Sequence, residues 1–366
     1  MDLLTRARKL WLSPDADMDE VERLYREVLK DNAHVTRTPH DRNALSDAAN
    51  EKLALILCQS DRSKDAASIL KSLGYTCRLS SLVLDYPSMD STLSPSEQPT
   101  GTTKPPCRIV DNFLSNDELK ILQDVFLDAD AAYWVDHNYQ VEPPSPYFSY
   151  LIPLNKADDF GFIGHVVQKC FHHLKSQFPH LNKATCVEMW AHNRPHASGH
   201  QMHFDSDNEG MGGVRNPIIS TILFLTHGTG GPSLVTNQKL THGRLATKGW
   251  FSSAKEKRLV AFDGQVLHGV VPGTKSSGPG RRVTLMFAFW KKIKVREGGG
   301  AAQTFPSDAV WAVSLRRQFV VGTQNERSDL IEVKPVEVKP IYETLHGEAW
   351  NRDMGFPEYD EVFQGF

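Results

Sequence analysis

Between residues 185 and 290 the chain is written in short apolar stretches, at 185–191, 218–226, 233–236, 258–262, 266–271 and 283–290, with glycine and proline between them. Runs this brief, rich in Val, Ile, Leu and Phe and bounded by turn-forming residues, make strands and not helices. Strands at this rhythm pack as a sandwich or jelly roll, so the chain must build a mainly β unit here. Everything before and after has to fit around it.

Ahead of that region the pattern is helical. Over residues 19–29, Val21, Leu24, Tyr25, Val28 and Leu29 recur at helical spacing among charges, as an amphipathic helix requires. Similar segments cover 44–58 and 63–73, the second stopped by Gly74. Three helices with short connections make a small all-α unit over residues 1–80. Its pattern, with Ala48, Ala54, Leu55, Ala66, Leu70 and Leu73-Gly74-Tyr75, is loosely like tetratricopeptide half-repeats but lacks a clean ~34-residue period. It fits either a peptide-binding module or a helical cap on its neighbour. Residues 81–106 turn to Ser, Thr, Pro and Gly, too few apolar groups to offset chain entropy, and read as a linker.

The main unit is expected over 107–296. It opens on a strand at 108–114, after which Ser115 and Glu118 stand at capping-box spacing before a helix carrying Leu119, Leu122, Val125 and Phe126. An aromatic stretch with Tyr133, Trp134, Tyr139, Tyr147, Phe148 and Tyr150 follows, suited to lining a site or covering a sheet edge. A helix at 160–178 leads into the strands. Beyond it, 297–366 is an extension with a glycine run at Gly298-Gly299-Gly300, expected as a hinge. Its Pro335 and Pro340 permit at most edge strands, and Trp311, Trp350, Phe356, Tyr359, Phe363 and Phe366 argue that it docks.

Composition excludes some functions. With 41 Lys+Arg against 44 Asp+Glu and a net charge of -3, no basic field points to nucleic acid. Cys58, Cys77, Cys107, Cys170 and Cys186 are scattered without CxxC spacing, which suggests neither a disulfide framework nor a zinc site. The first twelve residues are basic without a continuous apolar run, and no stretch approaches the ~18–20 apolar residues of a membrane span. A cytoplasmic location is expected, with the nucleus as the alternative.

The chemistry gathers in His203-Phe204-Asp205 and His268-Gly269-Val270. On a strand, alternation puts His203 and Asp205 on one face and Phe204 on the other. His268, which follows the turn Asp263-Gly264-Gln265, is the best candidate for a third ligand from a neighbouring strand. Two imidazoles and one carboxylate form a facial triad that holds iron(II) and leaves coordination positions open. On the strand before the motif, Glu188, Trp190 and His192 share one face and Met189, Ala191 and Asn193 the other; either set can line the interior. His196, His200, His227 and His242 read as loop or surface residues. The loop 206–215, rich in glycine and acidic residues, reads as a mobile lid and lacks the helix-flanked pattern of a calcium-binding EF-hand.

In order along the chain, Ile109-Val110-Asp111-Asn112-Phe113-Leu114-Ser115, His203-Phe204-Asp205, Ser220-Thr221-Ile222-Leu223-Phe224-Leu225, Gly230-Gly231-Pro232-Ser233-Leu234-Val235, His268-Gly269-Val270-Val271-Pro272 and Gly280-Arg281-Arg282-Val283-Thr284 resemble the iron(II)/2-oxoglutarate-dependent oxygenases, specifically their prolyl 4-hydroxylase-like branch. The resemblance implies a double-stranded β-helix, a cupin-like jelly roll, with the metal near its open end. It implies that Arg282, with Thr284 two residues later, binds the distal carboxylate of 2-oxoglutarate. A planar guanidinium suits that carboxylate, and alternation turns Arg281 outward. Ser220 is a further candidate for contact with the co-substrate. Relatives commonly place tyrosines in this pocket; here His200 stands three residues before His203 and Phe224 takes what looks like another tyrosine position.

The activity so implied is hydroxylation of an unactivated C–H bond with succinate and CO2 as co-products, using iron(II), 2-oxoglutarate and O2, with ascorbate as a reductant. Asp205 argues against a halogenase, which needs that coordination position for halide. The substrate expected is a protein or peptide side chain such as proline; a free amino acid or small metabolite is the alternative. Rival readings are a catalytically silent jelly-roll binding module and a metal-dependent cupin that does not use 2-oxoglutarate.

Overall fold

The computed structural model describes the chain apart from residues 1, 14–15, 33–38, 87–104, 140–146, 196, 208–213, 275–279, 294–300, 319–329, 351–358 and 366. Most of the expected linker, the centre of the expected lid, the glycine run, His196, Phe356 and Phe366 lie outside the described residues.

The N-terminal region folds as four helices. Helix α1 (Leu3–Trp11) begins where the Asp2 carboxylate accepts from the Thr5 amide at 2.9 Å, an N-cap that satisfies an otherwise orphaned donor. The sequence reading left this stretch without structure, because its apolar residues are sparse among basic ones; Ala7 and Trp11 are nonetheless buried. Helices α2 (Met18–Asn32), α3 (Pro39–Cys58) and α4 (Ser63–Ser72) follow, the three expected from periodicity. Gly74 takes φ +92°, the left-handed conformation that ends α4 and that a Cβ would oppose. A short strand, β1 (Cys77–Leu79), and one helical turn, α5 (Ser81–Leu84), complete the segment.

The main unit opens with β2 (Cys107–Asp111) and α6 (Asn116–Phe126). The expected capping box is present: Ser115 Oγ accepts from the Glu118 amide at 3.2 Å, and the Glu118 carboxylate accepts from the Ser115 amide at 2.6 Å. Then come α7 (Ala132–Asp136), β3 (Tyr150–Pro153), α8 (Gly161–Leu174) and β4 (Cys186–Pro195), a longer strand than its apolar run suggested. The strands β5 (His200–His203), β6 (Ile219–Phe224), β7 (Ser233–Lys239), β8 (Gly249–Ser252), β9 (Leu259–Asp263), β10 (Val266–Val270) and β11 (Arg281–Trp290) carry the site. Strand β8 was not foreseen. The tail contributes β12 (Gln303–Thr304), α9 (Val310–Arg316), β13 (Ile331–Val333), β14 (Val336–Val338), β15 (Tyr342–Thr344) and β16 (Val362–Phe363).

Two sheets result. The larger has the order β12-β3-β4-β11-β6-β9-β2-β13 and the smaller β14-β8-β7-β10-β5. Trp190, Ile222, Phe224, Met286 and Trp290 of the larger meet Val235, Trp250 and Val266 of the smaller in one apolar interior. This is the mainly β architecture that the strand rhythm predicts. Helices α6, α8 and α9 cover the outer face of the larger sheet through Leu122, Phe162, Val166 and Leu315.

The smaller sheet is covered differently. Its outer residues Leu234, Phe251, Leu267 and Val271 share a core with Leu24, Leu55 and Leu70 of the N-terminal helices and with Ile341 and Phe363 of the tail. The tail therefore docks, and Pro335 sits between β13 at one edge of the larger sheet and β14 at one edge of the smaller, where a residue without an N–H is tolerated. Strands β15 and β16 flank β1, joining the two regions in a third sheet. Buried Arg78 on β1 closes the joint with an ion pair to Glu343 at 3.1 Å. All five cysteines are free, and among the described residues no helix is long and apolar enough to cross a membrane.

Candidate metal centre

Strands β5 and β10 pair antiparallel with His203 directly opposite His268, which brings the two rings to 4.3 Å between centroids. Strand β5 ends at His203. Asp205 thus reaches the site from the segment just beyond the strand, on the face that the H-x-D alternation predicts. Asn216 holds that segment by donating to the Asp205 carbonyl at 2.6 Å. Phe204 points away, against the core shared with the helices.

Ligating atoms of His203, Asp205 and His268 lie within 4.8 Å of one another. Each histidine turns Nδ1 to a carbonyl of its own strand, His203 to Gln201 at 2.9 Å and His268 to Val266 at 3.1 Å. A carbonyl only accepts, so Nδ1 carries the proton and Nε2 presents its lone pair, the arrangement that metal-binding histidines use. Both Nε2 atoms face Asp205 Oδ1, at 3.5 and 3.7 Å. The donor set of two neutral nitrogens and one oxygen fits a divalent first-row metal such as iron(II).

Electrostatics hold Asp205 ionised and His268 neutral. Burial would push the Asp205 carboxyl up, but His268, His203 and the Ser220 hydroxyl hold it well below the usual carboxylate range. Burial brings His268 down to about 4. Burial also pulls on His203, yet the Asp205 carboxylate 3.5 Å away outweighs it and raises this group. Ser220 was expected to touch the co-substrate; instead its Oγ donates to Asp205 Oδ2 at 2.5 Å. It orients a ligand.

A cavity of about 480 Å³ opens over the triad, within the size range of ligand pockets. Arg282 and Thr284 line it and are buried. Arg282 Nη1 donates to the Gly231 carbonyl and Nη2 to Ser233 Oγ, both at 2.7 Å, and the guanidinium lies 5.0 Å over the Phe224 ring. A Cβ on Gly231 would stand 2.0 Å from the Val271 carbonyl, so only glycine lets this loop come so close. No carboxylate pairs with Arg282 among the described residues. Burial lowers it to about 10, which leaves it charged, and a buried guanidinium with neutral partners only is set up to receive an anion. Arg281 turns away, donating to the Asn193 carbonyl at 2.7 Å.

The face left open on β4 is settled. Trp190 and His192 line the cavity while Met189 and Ala191 join the outer core. Trp190 Nε1 donates to His192 Nε2 at 3.2 Å. Glu188, behind them, is pushed up by burial and takes bonds from Ser149 at 2.5 Å, Tyr147 at 3.1 Å and Trp290 at 3.1 Å. His200, expected as a loop residue, lies on β5 with its ring 4.7 Å from His203 and faces the cavity; His227 and His242 are exposed, as expected. Arg194 was overlooked altogether. Extending the alternation of Glu188, Trp190 and His192 by one step would have found it.

No protein-family model and no curated protein matches the chain. Solved structures similar to it include a prolyl-4-hydroxylase from Pseudomonas putida, at 14% identity and a TM-score of 0.32 over 54% of this chain and 90% of that one. The viral collagen prolyl hydroxylase of Paramecium bursaria Chlorella virus-1 is similar at 13% identity and a TM-score of 0.32, over 50% and 94%. A prolyl hydroxylase from Trichoplax adhaerens, solved with a peptide fragment of hypoxia inducible factor, is similar at 11% identity and a TM-score of 0.31, over 51% and 84%.

Proposed function

We propose that the chain is an iron(II)- and 2-oxoglutarate-dependent dioxygenase of the hydroxylase type, built on a double-stranded β-helix over residues 107–296. The observation that carries this reading is one cavity with a His203-Asp205-His268 donor set at one level and, at another, a buried Arg282 that pairs with no carboxylate among the described residues. Iron(II), held by the triad, would supply the activation of O2 that C–H hydroxylation needs. Arg282 and Thr284 would hold the distal carboxylate of 2-oxoglutarate, and Ser220 and Asn216 keep Asp205 aimed. Ascorbate would serve as reductant.

For the substrate, a protein or peptide side chain such as proline is favoured. Tyr147, Val214 and Leu240 line the cavity although 42%, 45% and 45% exposed, an apolar rim suited to an extended chain that delivers one side chain inward. The test is succinate release from labelled 2-oxoglutarate with iron(II) and ascorbate, run against panels of peptides and of free amino acids. Stimulation by peptides is expected, with loss of release in His203→Ala. Stimulation by amino acids alone would move the substrate to a small molecule, and unchanged turnover in His203→Ala would remove the metal assignment.

A further inference from the structure

The reading above uses one arginine, but the strand register supplies two. Where β11 pairs with β4, Arg282 lies opposite Arg194 and Thr284 opposite His192, and all four line the cavity. Opposed residues share a face with Cβ atoms about 4.5–5.5 Å apart, and like charges so placed destabilise a sheet. Two arginines facing one cavity repel one another, and an anion lying between them relieves that repulsion. His192 adds a donor: its Nε2 accepts from Trp190, so the proton sits on Nδ1, which is buried and has no partner among the described residues.

The spacing says which end of a ligand is meant. Ser233, which holds Arg282, pairs across from Val270, two residues along β10 from the ligand His268. Two strand residues span about 7 Å, a reach that a five-carbon dicarboxylate bridges with one end at the triad. Resting on the co-substrate reading above, we propose that Arg194 acts with Arg282 as a cross-strand pair on the distal carboxylate of 2-oxoglutarate, so that the site selects acids fully charged at that end. A shared carboxylate turns the repulsion between the two guanidiniums into attraction toward one group.

The test uses the full chain loaded with nickel(II), which occupies the triad without turnover, and calorimetry with two probes. These are 2-oxoglutarate and 2-oxopentanoate, the same carbon chain without the distal carboxylate. Arg194→Gln should weaken 2-oxoglutarate by about tenfold or more and leave 2-oxopentanoate unchanged, and Arg194→Lys should recover part of the loss. Equal affinity for 2-oxoglutarate in wild type and Arg194→Gln, or parallel losses for both probes, would overturn the pair. Failure of the wild-type chain to bind either probe would instead overturn the co-substrate reading on which it rests.

Discussion

The two sheets both present side chains to the cavity, yet their outer faces are supported in different ways. Behind the larger sheet, which carries Trp190, His192, Arg194, Ser220, Arg282 and Thr284, stand α6, α8 and α9, embedded in the same unit. Behind the smaller sheet, which carries His203 and His268, stand the N-terminal helices and the tail, drawn from the two far ends of the sequence. Strand β5 is the edge of that smaller sheet. Its exposed edge is met by the tail: Gln364 Oε1 accepts from the Met202 amide at 2.6 Å, one residue before His203. Gly365 lies beside Leu55, Leu84 and Pro272, where a Cβ would stand 3.0 to 3.4 Å from their side chains. The difference teaches that the proposed anion-binding side of the site is supported locally, whereas the proposed metal ligands depend on parts of the chain that must first find each other.

Matched truncations on the two sides test that contrast most strongly. Leu55 in α3 and Leu122 in α6 are both fully buried, and Leu→Ala at either should cost about 2–5 kcal/mol, read from denaturant unfolding. Only Leu55→Ala should also weaken nickel(II) binding to the folded chain in calorimetry. Equal metal affinity in the two variants would break the contrast.

A second prediction stays on the larger-sheet side. Burial would raise Glu118, but His165, Lys169 and the Ser115 amide bring it from 4.5 to about 2. A carboxylate depressed on folding stabilises the native state above its ordinary value and loses that contribution as pH falls from about 4.5 toward 2. The contribution at neutral pH is about 3 kcal/mol at most. Glu118→Gln should therefore flatten the stability profile in that acid window while leaving metal affinity at neutral pH unchanged. A profile as steep as that of the wild type would show the carboxylate to be unimportant.

The smallest expected effect sharpens the contrast at one atom. Gln364→Ala removes the acceptor on Met202 and should weaken nickel(II) binding by a few-fold, on the order of 1 kcal/mol, with little change in the unfolding midpoint. An unaltered affinity would confine the role of the tail to covering apolar surface.

The reading from sequence succeeded where the cause was local. The capping box of Ser115 and Glu118, the glycine stop at Gly74 and the helices at α2 to α4 follow from neighbours a few residues apart, so they were legible. Alternation along one strand put Arg281 and Arg282 on opposite faces, and the resemblance picked Arg282 as the one facing inward. Alternation placed His203 and Asp205 on one face and Phe204 on the other, as found, but it did not show that β5 ends at His203 or that Asn216, eleven residues downstream, holds the Asp205 carbonyl. The bond from Ser220 to Asp205 was not legible, because strand alternation says which face a hydroxyl is on but not what waits opposite.

By itself the sequence determined the helices α2 to α4 and α6, the mainly β character of 185–290, and the kinds of donor available at His203, Asp205, His268 and Arg282. Side-chain chemistry and short-range periodicity are written residue by residue. Only the tertiary structure decided the opposition of His203 to His268 and of Arg194 to Arg282, the bond from Ser220 to Asp205, and the docking of the tail against β1 and β5. Each of these depends on register between distant strands, which is chosen by how a whole face buries its apolar side chains and not by any one segment.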